Sequence, residues 1–199
     1  MSINEIDKLI NQVSKLPGLG RRSAQRITLY LLQHKELSLT KLIESLEEAN
    51  NTIVNCDNCQ NIDVHSPCSI CTNSKRDNKT ICVVEDVSDL WTIESIGFYK
   101  GLYHVLGGSL SAINGIGTND ISIEKLIQRI NTLKIKEVIL ALSTTMEGQT
   151  TSHVISDKLE IFSNLDVTRL AQGVPIGGEV HYLDENTLNT AFQLRKKII

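Results

Sequence analysis

Cys56-x2-Cys59 and, eight residues on, Cys68-x2-Cys71 place four thiols within sixteen residues of this 199-residue chain. Each Cys-x-x-Cys turn brings two sulfurs within reach of one tetrahedral ion at about 2.3 Å, and two such turns complete its shell. The intervening stretch is rich in Asn, Asp, Ser and Pro and follows neither the helical nor the strand period. It reads as a loop that needs something other than an apolar core to order it. One structural Zn2+ per chain, held by Cys56, Cys59, Cys68 and Cys71, supplies that order, and binding energies of about 10–16 kcal/mol suffice. A closed four-thiolate shell leaves no open position, so the ion does no chemistry. The competing reading is an unmetallated or redox dithiol, which needs only one of the two pairs. The fifth cysteine, Cys82, lies in the apolar run Ile81–Val84 and reads as a small buried hydrophobe.

Aromatic residues make up only 4% of the chain, so the core must be built from Ile, Leu and Val. The longest apolar runs, such as Ile81–Val84 and Val138–Leu142, fall far short of the roughly 20 residues a membrane helix requires. Residues 1–7 are polar and acidic, without a basic region followed by an apolar run, so no secretory signal and a cytoplasmic location are expected. The net charge of −3 says nothing of nucleic acid, but from Lys15 to Lys35 the chain carries Lys15, Arg21, Arg22, Arg26 and Lys35 and no acidic residue. Phosphate binding depends on local positive density, so one face can still hold DNA. A solvated helix face is the plainer reading of the charges alone.

Three helices are predicted first. Ser2-Ile3-Asn4-Glu5 has capping-box spacing, and Ile3, Ile6, Leu9, Ile10 and Val13 recur at helical intervals up to the break at Pro17. Ser23–Gln33 is the second, with Ala24, Ile27 and Leu31 inward, and the third follows Thr40 with Leu42, Ile43, Leu46 and Ala49 on one side. From Thr80 on, β-rich runs (Ile81–Val84, Leu102–Leu106, Val138–Leu142, Val167–Leu170) alternate with helical stretches (Leu90–Ser95, Ile123–Ile130, His153–Phe162). That alternation argues for a mostly parallel sheet flanked by helices. A last helix is expected over roughly Glu185–Lys197. Trp91 reads as helix packing, and His104, His153 and His181 as ordinary packing or surface residues.

Leu16-Pro17-Gly18-Leu19-Gly20, set between two short amphipathic helices, fits a helix-hairpin-helix. Gly18 and Gly20 let the backbone turn tightly and approach a phosphate, which the N–H groups and dipole of the following helix then face. Arg22 and Arg26 are four apart and share a face of that helix, with Arg21 beside them. Such a contact reads no bases.

These segments, in this order, resemble the RecR family of bacterial recombination mediators. Leu16–Arg26 resembles its helix-hairpin-helix signature and Cys56–Cys71 its zinc finger. Val83-Val84-Glu85-Asp86-Val87-x-Asp89 and Tyr103-His104-Val105-Leu106-Gly107-Gly108 resemble its Toprim domain, and Thr168–Gly178 its carboxy-terminal signature. The resemblance implies an α/β multidomain chain: a helix-hairpin-helix region over 1–54, a four-cysteine zinc finger over 55–78, a Toprim-like mostly parallel sheet over 79–170 and a helical segment over 171–199. It implies sequence-independent DNA binding, ring-like homo-oligomers, and work with RecO and RecF to load RecA onto single-stranded DNA covered by its binding protein. Two departures stand out: Ser143–Gln149 replaces the family's Asn-Pro-Thr-x-Glu-Gly-Glu, and Gln172 stands where Arg is usual.

Toprim domains also occur in primases, topoisomerases and nucleases, so a metal-dependent nuclease or nucleotidyl transferase is the alternative. Those enzymes resemble this chain at Glu85, at the carboxyl end of the first sheet strand, where parallel sheets form their ligand crevice. Their chemistry also needs two aspartates one residue apart for Mg2+, and no Asp-x-Asp occurs in this sequence. Glu85, Asp86, Asp89 and Glu147 are therefore expected to form an acidic rim that docks a basic partner, RecO, against the plainer reading of solvated strand ends. No catalytic residue is expected.

Overall fold

The computed structural model describes residues 4–195 and 197, in two compact units, residues 1–53 and 54–199. Ser2, of the expected capping box, and Lys196, within the expected last helix, lie outside the described residues.

In the first unit, α1 (Asn4–Val13) packs on α2 (Arg21–Gln33), with Ile10 and Ala24 buried between them. Ala24 and Thr28 are the fully buried residues of α2, while Ile27 and Leu31 are half-buried. A π-helical turn, Lys35–Leu39, leads directly into α3 (Thr40–Thr52). No residue of α3 is buried, and Leu42, Ile43 and Leu46 stand exposed along it.

The second unit opens with a two-residue antiparallel pair, β1 (Val54–Asn55) and β2 (Ile62–Asp63), and a single helical turn, α4 (Ser69–Thr72), where the sequence alone suggests only loop. Then come β3 (Thr80–Val84), α5 (Val87–Ile96), β4 (Leu102–Val105), α6 (Ile123–Leu133), β5 (Glu137–Ala141), α7 (Met146–Leu159) and β6 (Asp166–Arg169). A 3-10 turn, Val180–Tyr182, precedes α8 (Glu185–Gln193). The last four strands form one parallel sheet in the order β4-β3-β5-β6.

Alternation along β3 divides the core. Ile81 and Val83 join Val138, Leu140 and the inner faces of α6 and α7 (Leu126, Ile130, Ile155, Leu159), whereas Cys82 and Val84 join Tyr103, Val105 and Leu90 of α5. Cys82 is a buried core residue whose thiol burial pushes up to about 12. Trp91 departs from expectation: it is 56% exposed, on the solvent side of α5, its indole N–H directed at Asn61 Oδ1. Among the described residues no helix is long and apolar enough to cross a membrane.

Candidate metal centre and nucleic-acid interface

The β1–β2 pair and α4 fold the two Cys-x-x-Cys turns onto each other. All four sulfurs lie within 4.8 Å of one another, with Cys59 to Cys68 at 3.5 Å and Cys56 to Cys71 at 3.9 Å. A tetrahedral ion with metal–sulfur bonds of about 2.3 Å requires sulfurs about 3.8 Å apart. Cys56, Cys59 and Cys68 are fully buried and Cys71 half-buried. The contact between Cys59 and Cys68 pushes the Cys59 thiol far up and holds Cys68 far down. A divalent cation at the centre relieves the repulsion that keeps such a cluster partly protonated. Around it, the Cys68 N–H donates to Cys56 Sγ at 3.3 Å and the Arg129 guanidinium to Cys71 Sγ at 3.3 Å, the kind of outer contact that steadies thiolate ligands. The residues fit a metal ion. Among the described residues this is the only group of three or more His, Cys, Asp or Glu able to hold one.

The cysteine knuckle also closes one edge of the sheet. The outward Val105 N–H of β4 donates to the Cys59 carbonyl at 2.8 Å, and Arg129 from α6 donates to the Tyr103 carbonyl. An edge strand left bare invites foreign pairing, and here the knuckle occupies it.

In the first unit, the Leu19 N–H closes a turn on the Leu16 carbonyl at 3.1 Å, with Gly18 at φ +77°. Gly20 is the N-cap of α2 with no side chain on the free N–H groups, and a Cβ at Gly18 or Gly20 would meet nothing within 4 Å. The start of α2 is therefore bare backbone open to solvent. Arg22 and Arg26 are exposed beside it, and no acidic residue stands in its first turn. Arg21 is engaged differently: its guanidinium donates to Asn11 Oδ1 at 3.1 Å and ties α1 to the start of α2.

At the carboxyl end of the sheet, β3 has neighbours on both sides, reached through crossovers of opposite direction. Parallel sheets open their crevice at such a point. Glu85 follows β3 and Glu147 stands in the first turn of α7, after β5. Glu85 Oε1 accepts from the Ser143 N–H at 2.7 Å. Asp86 and Asp89 form a capping box on α5: Asp86 accepts from the Ser88 N–H at 3.1 Å and Asp89 from the Asp86 N–H at 3.1 Å. That box starts α5 three residues earlier than the sequence pattern suggests. Glu147 is exposed beside exposed Met146. The departures Gln149 and Gln172 line one groove between α7 and the segment after β6.

Sequence reasoning missed Arg129 as a participant, whereas His104 takes the packing role expected of it. Arg129 supports both the thiolates and the β4 edge. His104, fully buried, donates from Nε2 to the Ser122 carbonyl at 2.9 Å, and burial pushes its imidazole down to about 4. Arg129 has no spacing signal and could be found only as a charged residue on the apolar face of a helix, between Leu126 and Ile130.

Family comparisons agree with this layout. The family model described as "RecR, helix-hairpin-helix" matches residues 6–50, "Toprim domain" residues 79–171 and "RecR, C-terminal" residues 173–196. A "Recombination protein RecR" of Erythrobacter litoralis is 46% identical over 198 residues, covering 100% of both chains. Proteins of the same name from Brucella anthropi and Rhodospirillum rubrum are 50% and 48% identical, the former over 96% of this chain and 94% of its own, the latter over 100% of both. With three ordered domain matches and full-length relatives at this identity, the chain belongs to the RecR family.

Proposed function

We propose that this chain is a non-catalytic, DNA-binding recombination mediator of DNA repair that acts with RecO and RecF to load RecA onto single-stranded DNA covered by its binding protein. The observation that carries this reading is the open start of α2: bare N–H groups behind Gly18 and Gly20, flanked by exposed Arg22 and Arg26. A phosphate met there is held by backbone dipole and charge without reading of bases. The relatives' shared name, "Recombination protein RecR", supports the process.

In this reading Cys56, Cys59, Cys68 and Cys71 hold one structural Zn2+. Their spacing, burial and N–H donors support it, and the ion orders residues 55–78, between a DNA-binding region over 1–54 and a Toprim domain over 79–170. The protein works in the cytoplasm as a ring-forming homo-oligomer. The exposed apolar residues of α3 and of the segment after residue 170, including Ile176, Tyr182 and Phe192, support interfaces in both places. Linked copies then raise an affinity that one short hairpin leaves low.

The acidic rim of Glu85, Asp86, Asp89 and Glu147 serves RecO docking. The alternative, a metal-dependent nuclease or nucleotidyl transferase, has in its favour the place of Glu85 at the sheet's crevice. Docking is the better reading because no Asp-x-Asp occurs in the sequence to supply a magnesium site, while Glu85, Asp86 and Asp89 hold the rim in place through carboxylate bonds to backbone N–H groups. Glu147 is the cleanest probe, since it is exposed and holds no such bond. Glu147→Lys is expected to weaken RecO binding and abolish RecA loading while DNA binding by the protein alone persists. RecO binding at wild-type affinity contradicts the docking role, and magnesium-dependent cleavage or nucleotidyl transfer lost in the same variant restores the enzymatic one.

A further inference from the structure

Arg129 is 9% exposed on α6, in the turn that also supplies Leu126 and Ile130 to the core. A guanidinium cannot shed its charge, so burial demands an anion. Among the described residues no carboxylate pairs with it. One terminal nitrogen donates to the Tyr103 carbonyl and the other to Cys71 Sγ at 3.3 Å, while Nε finds no acceptor. Among the described residues the one group beside it that can carry negative charge is the cysteine cluster, met at Cys71 Sγ. Four thiolates around a divalent ion carry a net charge of about −2, and a sulfur ligand accepts an N–H bond best when it is a thiolate.

We infer that Arg129 is the counter-charge of the metal centre, a positioning residue that neutralises part of the thiolate cluster and fastens it to strand β4. The inference rests on the reading that the four cysteines hold a metal. Its geometry is a three-way junction. The knuckle reaches β4 through the Cys59 carbonyl and the Val105 N–H at 2.8 Å, and Arg129 joins knuckle and β4 through Cys71 and Tyr103. One helical turn earlier on the same face of α6, Lys125 Nζ donates to Gln60 Oε1 at 3.2 Å, inside the knuckle. Helix α6 thus presents two cations to the cysteine knuckle, one to its rim and one to a ligand sulfur.

The consequence runs both ways. Without the metal, the buried guanidinium loses its partner, so metal occupancy stabilises the sheet as well as the knuckle. Without the guanidinium, the cluster loses an N–H bond and a positive charge, and the metal is held less firmly.

The test compares wild-type protein, Arg129→Met and Arg129→Lys, all full length, by zinc content, zinc transfer to a chromogenic chelator, and the visible spectrum after cobalt substitution. Arg129→Met keeps the bulk and loses the charge and donors. It is expected to release zinc at least about ten-fold faster, in line with losses at outer-shell partners. Its sulfur-to-cobalt charge-transfer band is expected to move to lower energy, because a thiolate without the N–H bond is more electron-rich. Arg129→Lys, which keeps the charge but cannot reach both acceptors as a planar fork, is expected to fall between. A folded Arg129→Met that releases zinc at the wild-type rate with an unshifted cobalt band overturns the inference and leaves the metal site standing. If Arg129→Met does not fold, Arg129→Gln, which keeps N–H donors and loses the charge, takes its place, and wild-type release and spectrum there overturn the inference equally. Wild-type protein that carries no metal removes the metal centre and the inference together.

Discussion

The carboxylate of Glu85, one residue past β3, accepts a 2.7 Å hydrogen bond from the backbone N–H of Ser143, two residues past β5. This bond crosses the sheet's crevice and fixes the loop that launches α7. Thr145 then caps that helix through the Gly148 N–H at 3.1 Å. Gly148 is buried against the same bond: a Cβ there would stand 2.3 Å from the Ser143 carbonyl oxygen and 2.9 Å from Glu85 Oε1. Glu85 is thus part of the scaffold that presents Glu147.

Gly148→Ala is therefore expected to destabilise the second unit by about 1–3 kcal/mol, since its nearest neighbour is backbone and cannot swing aside. Glu85→Ala should cost about 1–2 kcal/mol by leaving the Ser143 N–H without its acceptor, and Glu85→Gln less than about 1 kcal/mol. Urea unfolding of the three variants checks the order. A neutral Gly148→Ala would show that the α7 junction is looser than described.

His104 links stability to pH. The folded state holds the buried imidazole near 4, below its ordinary value of about 6.5, so the unfolded chain takes up a proton first as the pH falls. The contribution is intact above about pH 6.5 and declines as the pH drops toward 4. Between pH 7.5 and 5.5 the wild type should lose about 1 kcal/mol more than His104→Gln, which keeps an N–H donor and cannot ionise. Equal losses in both proteins would place this pH dependence elsewhere.

Metal removal should reach beyond the knuckle. Cys59→Ser is expected to abolish stoichiometric zinc and lower the melting temperature by more than about 5 °C, because the knuckle loses its main source of order. Elemental analysis with calorimetry decides, and a Cys59→Ser protein with full metal and an unchanged transition contradicts the assignment.

Much of this architecture can be read from the residues. The four cysteines are legible because metal geometry constrains their spacing more tightly than it does their surroundings. The two central strands, β3 and β5, are legible because Ile81–Val84 and Val138–Leu142 are continuous apolar runs, with structural ends shifted by a residue. The start of α7 is not: Gly148, Thr150 and Thr151 are weak helix formers, and the helix begins at Met146 through the Thr145 cap, seven residues before the predicted His153. The π-helical turn before α3 has no pattern of its own in the sequence and buries no residue. At the acidic rim, the sequence places Asp86 and Asp89 near Glu85 but does not tell a docking carboxylate from a capping one. Spacing alone showed a D-x-x-D that the α5 cap uses.

If the open start of α2 is the DNA contact, the salt dependence of DNA binding must differ between wild type and the Arg22→Ala, Arg26→Ala double variant. Each lost phosphate contact releases about 0.7–0.9 fewer counterions, so the slope of log affinity against log salt should flatten by about 1.4–1.8 per binding chain, equally on unrelated sequences. A double variant that binds with an unchanged slope would mean that the hairpin is not the surface that holds DNA.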